Sequence, residues 1–237
     1  MIEETYALKA IVINRKPFRE NDLLVTIYSP EQGKQSLVAR GARKFRSKVA
    51  AHIEPLSFID GLVVRGKSFD YLGSALCAGS LFGIKSDYGN LESAGRIVRI
   101  FDRLVKDGQP DHQAFAMLRD ILLLINGSVD DVQVAVWADL FIIKLLSQLG
   151  IGSELHDCVI CGQKIRSNEH SFDLYKNGLV CHSCNDQKTG LIISDNVVKM
   201  LRLATKIEVK DFCKISINHN LADEIAFFVS QIVNHHH

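Results

Sequence analysis

Four of the chain's six cysteines fall within one short stretch, "CVICGQKIRSNEHSFDLYKNGLVCHSC", which runs from Cys158 to Cys184. They form two Cys-x-x-Cys pairs with nineteen residues between them. Thiolates are soft ligands, and four of them suit a tetrahedral ion such as Zn²⁺. A two-residue gap lets both sulfurs of a pair turn inward on a tight knuckle. Two knuckles at facing hairpin ends complete the tetrahedron. The spacing lies in the zinc-ribbon range, and Gly162 and Gly178 suit the turns a ribbon needs. One structural zinc per chain, held by Cys158, Cys161, Cys181 and Cys184, is the expectation. A redox dithiol pair and an iron–sulfur cluster are the other chemistries these thiols admit. His156, His170 and His182 stand close enough in sequence to replace a thiol ligand. A site closed by four protein ligands has no open position at which to activate water, so the expected role is structural. Cys77 and Cys213 have no partner at metal spacing and read as small core residues.

The second set of residues with chemistry is cationic. "RGARKFRSK" carries Arg40, Arg43, Lys44, Arg46 and Lys48 with no acid among them, and Phe45 sits in its middle. "NRKPFREND" repeats the theme with Arg15, Lys16, Arg19 and Phe18, and Arg65 and Lys67 flank a further turn. Cations that approach phosphates release counterions, which drives sequence-independent binding to nucleic acid. Aromatic rings beside them, here Phe18 and Phe45, can stack on unpaired bases or simply fill a core. Solvated loops are the plainer account of such runs. The uneven charge favours the nucleic-acid reading. Residues 1–80 hold 12 Lys and Arg against 8 Asp and Glu, a net of +4, whereas the whole chain carries only +1.

No constellation for catalysis accompanies them. The sequence holds no G-x-x-x-x-G-K-[ST], no G-x-S-x-G and no H-E-x-x-H, and its acids are scattered over amphipathic faces where solvation explains them. The start, "MIEETYALK", lacks the apolar run of a signal peptide, and no apolar run approaches the length of a membrane span. A cytoplasmic protein is expected. The closing "HHH" (His235 to His237) reads as the remnant of a purification tag.

The elements that must position these residues change character near residue 80. Before it, Tyr6–Ile13, Leu23–Ser29, Lys34–Arg40, Leu56–Arg65 and Phe69–Leu76 read as strands, each rich in β-branched and aromatic residues and bounded by Gly, Pro, Asn or Asp. Five short strands in about 80 residues fit a small barrel; the OB-fold is the five-stranded form, and an SH3-like barrel is the competitor. "NRKPFREND" then reads as the first inter-strand loop, and "RGARKFRSK" as the loop after the third strand. Beyond Gly83 the spacing turns helical: Leu91–Val105, His112–Ile125 and Val129–Leu149, then about Asp195–Leu203 and Leu221–Val233. The third of these is apolar nearly all round and is expected at the centre of a helical bundle to which the last two return. The expected class is α+β: an OB-fold nucleic-acid-binding domain over 1–80, then a helical domain over 81–237 with a zinc-binding insertion at about 154–188.

The stretch "RKPFRENDLLVTIYSPEQGKQSLVARGARKFRSK" resembles the N-terminal domain of the bacterial DNA-repair and recombination mediator family RecO. The shared features are a basic opening loop, an acidic pair (Glu20 and Asp22), a strand, a Gly-Lys turn and a basic "GAR" segment ending in Ser. "LFIIKLLSQLGIGSELHDCVICGQ" resembles the family's central helix leading into its zinc segment. The order of barrel, helices, ribbon and helices also matches, over nearly the whole chain. The resemblance implies a protein without enzymatic activity that takes part in DNA repair and homologous recombination. It implies binding to single- and double-stranded DNA, and annealing of complementary strands, including those coated with single-stranded-DNA-binding protein. It further implies cooperation with RecR in loading RecA, and a nucleoid-associated place in the cytoplasm. The helical domain would receive the acidic tail of the single-stranded-DNA-binding protein in an apolar pocket rimmed by cations. Arg96, Arg99, Arg103, Lys144 and Arg202 are the residues on the helices that could supply them, although exposed helix charge is the plainer reading of each. A different class of protein, an OB and zinc-ribbon adaptor acting through protein contacts in RNA or transcription complexes, shares the same modules.

Overall fold

The computed structural model describes residues 4–167, 170–185 and 190–235. Packing divides the chain after Gly127 into two compact units, residues 1–127 and 128–237.

The first unit is built on a closed five-stranded barrel: β1 (Thr5–Phe18), β2 (Asp22–Ser29), β3 (Gly33–Ala39), β4 (Ser57–Val64) and β5 (Tyr71–Ser80), in the order β1-β2-β3-β5-β4. β4 returns to β1, and β3 meets β5 in parallel at Val38 and Tyr71, which is the closure of an OB-fold. Period-two alternation turns Leu8, Ala10 and Val12 of β1 and Leu23, Val25 and Ile27 of β2 into the core, with Leu37, Ile59, Val63 and Leu72 from the other strands. β1 is longer than the apolar run from which it was read. Its first half pairs with β4 up to Val12, and its second half pairs with β2 down to Phe18. The register shifts between Val12 and Asn14, a bulge that bends the strand from one neighbour to the other. Pro17 is tolerated because β4 no longer lies alongside, so no partner misses its amide there.

Helices α1 (Phe82–Ser86), α2 (Tyr88–Leu104) and α3 (His112–Asn126) complete this unit. Asp87 and Asp111 cap α2 and α3 by accepting from the first free backbone amides. α2 packs on β1, and Tyr28 of β2 meets Phe101 of α2 edge to face with centroids 4.8 Å apart. Lys34 fastens the two layers: its Nζ donates to the Asp102 carbonyl at 2.6 Å and lies 3.2 Å from the Asp107 carboxylate.

In the second unit, α4 (Asp131–Gln148) packs against α5 (Asp195–Lys206) and α6 (His219–His235). The helix expected at the centre of one large bundle is central to this smaller one, while α2 and α3 belong with the barrel. Trp137 of α4 donates its indole N–H to the Phe212 carbonyl at 3.0 Å. Between α4 and α5 the chain forms a ribbon with the antiparallel pair β6 (His170–Asp173) and β7 (Gly178–Cys181). Among the described residues no helix is long and apolar enough to cross a membrane.

Both unpaired cysteines differ from expectation. Cys77 and Cys213 are exposed. The inward positions of β5 are Leu72 and Ala75, and Cys77 lies past them. Cys213 follows Phe212 in a 3₁₀ turn (Val209–Lys214) whose buried residues are Val209 and Phe212.

Candidate nucleic-acid interface and metal centre

The ribbon brings its four cysteines together. The sulfurs of Cys158, Cys161, Cys181 and Cys184 all lie within 4.8 Å of one another, and among the described residues no histidine joins the set. The first knuckle is held by backbone bonds, Gly162 N–H to the Cys158 carbonyl and Cys158 N–H to the Gln163 carbonyl, each 2.8 Å. Gly162 sits at φ +71°, a left-handed turn that a side chain would strain. The Cys181 amide donates to the Cys158 sulfur at 3.4 Å, which ties one knuckle to the other.

Geometry and donor chemistry both fit a metal ion. Four sulfurs about 2.3 Å from a tetrahedral centre stand about 3.8 Å apart. Cys161 Sγ and Cys181 Sγ are 3.8 Å apart. Burial pushes the Cys158 thiol up, but amides donating from Cys161, Cys181 and Ile160 outweigh it and bring the pKa down to about 6. Hydrogen bonding among the sulfurs, foremost with Cys161 and Cys181, pushes Cys184 up to about 12. A cluster whose sulfurs share protons so closely is one in which a divalent cation can replace those protons.

The cationic residues are spread differently from the sequence reading. "NRKPFREND" is not a loop: Arg15 and Lys16 lie within β1, and only residues 19–21 form the turn. Arg15 is tied to Glu54 by an ion pair of 2.6 Å. "RGARKFRSK" is a loop after β3, as expected. The Asp22 carboxylate and the Glu20 backbone hold it to the first turn: the Gly41 amide donates to the Asp22 carboxylate at 2.8 Å, and Arg43 donates to the Glu20 backbone carbonyl at 3.0 Å. Arg43 thus has a structural task. Lys44, Arg46 and Lys48 are exposed, and Phe45 is fully exposed.

Three separate turns meet at a groove of about 910 Å³ on the barrel. Its walls include Arg19 from the β1–β2 turn, Arg40 from the loop after β3, and Arg65 and Lys67 from the β4–β5 turn, with Phe69 and Tyr71. The Arg40 guanidinium stacks over the Tyr71 ring at 3.7 Å. Phe18 packs edge to face on Phe69 at 5.3 Å, and Arg19 lies over Phe18 at 5.1 Å. Among the described residues Glu4 is the acid on its wall, and it approaches Arg65 at 3.7 Å. The sequence reading missed Phe69 and Tyr71 as site residues. Their signal was the alternation of aromatics directly after the basic turn, "RGKSFDY".

The five cations considered for a peptide-tail pocket divide between the units. Arg96, Arg99 and Arg103 follow one another along α2. Lys144 is buried, against the expectation of exposed helix charge; its Nζ donates to the Thr205 carbonyl at 3.1 Å, near the end of α5. Burial lowers its pKa, and Glu208 partly opposes this. Arg202 donates its Nε to the Leu155 carbonyl at 2.8 Å and so anchors the ribbon's root to α5.

Comparison with known proteins agrees with this architecture. The family model described as "Recombination protein O N terminal" matches residues 1–80, and "Recombination protein O C terminal" matches residues 85–237. A protein named DNA repair protein RecO from Desulforamulus reducens is 28% identical over 232 residues, covering 98% of this chain and 89% of its own. Proteins of the same name from Alkaliphilus metalliredigens (23% identical, 96% of this chain and 92% of its own) and Dehalococcoides mccartyi strain 195 (25%, 93% and 86%) align similarly. With a barrel, a four-cysteine ribbon and both family models covering its two parts in order, this chain belongs to the recombination protein O (RecO) family of DNA repair proteins.

Proposed function

We propose that this chain is a mediator of DNA repair and homologous recombination without enzymatic activity of its own, and that the barrel groove is where it holds DNA. The observation that carries the reading is the convergence of Arg19, Arg40, Arg65 and Lys67 with Phe69 and Tyr71 on one groove. Cations gathered on one groove can neutralise phosphates, and the rings beside them offer faces to unpaired bases. Contacts of this kind position a strand without reading its sequence. Lys44, Phe45, Arg46 and Lys48 extend the surface along the exposed loop. Two strands held with their charges screened can pair, and that is the physical route to annealing.

Cys158, Cys161, Cys181 and Cys184 would hold one zinc ion, which cross-links the ribbon when bound. The chain's own residues do the rest of that work: the Gly162 knuckle aims the sulfurs, and Arg202 fixes the ribbon to α5. We further propose that the helical part, residues 81–237, receives the acidic tail of the single-stranded-DNA-binding protein, and that RecR joins the complex that loads RecA. Family membership supports these partners. The test is annealing of complementary strands coated with single-stranded-DNA-binding protein. The wild-type chain should speed annealing without nucleotide, and the Arg40→Glu/Lys67→Glu variant should lose most of that acceleration. Equal rates for a folded variant would move the DNA surface elsewhere.

A further inference from the structure

Tyr71 does more in the groove than line it, because its ring is fixed from two sides. Its backbone sits in the seam that closes the barrel: Tyr71 pairs in parallel with Val38 of β3, and the Val38 amide donates to the Asp70 carbonyl at 2.9 Å. The β4–β5 turn closes over the ring's edge. A Cβ built on Gly66 would stand 2.7 Å from Tyr71 Cε2 and would run into the Phe69 carbonyl, so only glycine lets the turn come this near. A half-buried ring held in this way is a rigid platform.

Arg40 lies on that platform. Its guanidinium carbon is 3.7 Å from the ring centroid, the contact distance of two carbon centres. Arg19 lies farther from Phe18, at 5.1 Å, and Arg65 farther from Tyr6, at 5.6 Å. The charge of Arg40 is also uncommitted. Among the described residues no acid pairs with it, whereas Glu54 pairs with Arg15 and Glu4 with Arg65. Arg40 is exposed and opens the loop after β3, so without the ring its long side chain would sample many rotamers. A base cannot stack on a face that a guanidinium already covers. The covered face instead holds Arg40 still, and a guanidinium on a ring keeps its in-plane N–H donors free for a phosphate.

We propose that Tyr71 is a positioning residue: its ring holds the Arg40 guanidinium ready for a DNA phosphate, in single strands and duplexes alike, and takes no base on that face. This task rests on the groove reading above. Ordering one long, mobile side chain on binding costs about 2- to 10-fold in affinity, and the ring removes that cost in advance.

The test uses the full chain and fluorescence anisotropy, with a labelled single strand and a duplex of the same length at one salt concentration. Tyr71→Phe keeps the ring and should bind both DNAs as the wild type does. Tyr71→Leu keeps the bulk but has no aromatic face, and should weaken both by about 2- to 10-fold. Added to Arg40→Ala, it should cost nothing further, because the group it positions is gone. Arg40→Lys keeps the charge on an exposed side chain but loses the planar group, and should bind as weakly as Tyr71→Leu. That variant decides the matter if Tyr71→Leu does not fold. A loss confined to the single strand would make Tyr71 a base platform and overturn the proposal. So would wild-type affinity in Arg40→Lys or in a folded Tyr71→Leu, or an undiminished loss on top of Arg40→Ala. Wild-type affinity in Arg40→Glu/Lys67→Glu would bring down the groove and this task together. A loss there beside wild-type binding by Tyr71→Leu would bring down this task alone.

Discussion

Cys161 contributes one of four sulfurs to a cluster in which a neighbouring sulfur already sits 3.8 Å away. Serine in its place offers a harder and far less acidic ligand, so Cys161→Ser should drop the metal content well below one ion per chain. Elemental analysis checks both parts of the claim: zinc near one per chain in the wild type, and little in the variant. Iron in place of zinc would overturn the assignment of the metal. Tyr28 gives a second prediction. Burial, with the Asp111 carboxylate adding to it, pushes its hydroxyl up to about 12. An unfolded tyrosine titrates near 10, so between those values the unfolded chain sheds a proton that the folded chain keeps. Stability from this group is whole below about pH 10 and is lost as pH rises through about 12, at most about 2.7 kcal/mol. Denaturant melts at pH 9 and pH 11 should show a smaller alkaline loss for Tyr28→Phe than for the wild type. The gathering of Cys158, Cys161, Cys181 and Cys184 was legible from their spacing, because a tight knuckle is a local property. Cys77 was not. Its outward position depends on where β5 passes the last inward residue, Ala75, and on bulges that shift its register with β4.

At the scale of elements, Lys34 decides whether barrel and helices act as one. It bonds the Asp102 carbonyl and lies between the Asp102 and Asp107 carboxylates, 3.4 and 3.2 Å away. Its neighbour Gly33, at φ +68°, lies so close to the Gln109 backbone that an added Cβ would stand 2.2 Å from the carbonyl oxygen. Lys34→Ala should therefore cost about 1.5–3 kcal/mol, the range for a hydrogen bond to a charged group that leaves partners unpaired. Hydrogen exchange should show the amides of α2 opening before those of the barrel strands. Unchanged stability would mean that the apolar seam of Tyr28 and Phe101 suffices. The strands that alternate cleanly, β2 and β3, were legible in the sequence. The second half of β1 was not, because Pro17 reads as a breaker until the strand is seen to have only one neighbour there. α1 was missed because five residues, Phe82–Ser86, are too few for a helical period to emerge.

For the molecule as a whole, two divisions of the chain coexist. Family resemblance and composition separate residues 1–80 from the helical remainder, while packing keeps α1–α3 with the barrel up to Gly127. The groove belongs to this first unit, and its assembly explains why only part of it was legible. Each basic turn could be read singly, but their meeting depends on strand register: Arg19 closes β1, Arg40 follows β3, and Arg65 and Lys67 join β4 to β5. The ring that Arg40 covers, Tyr71, comes from a strand paired in parallel with β3, a long-range contact that no local pattern reveals. The central claim is that this groove binds DNA through phosphates, and the salt dependence of single-strand affinity tests it most directly. Each phosphate contact contributes roughly −0.7 to the slope of log affinity against log salt. Arg40→Glu/Lys67→Glu, still folded and still carrying its metal, should flatten that slope by at least about 1.4 and weaken binding alike for all sequences. A folded variant with the wild-type slope and affinity would contradict the account.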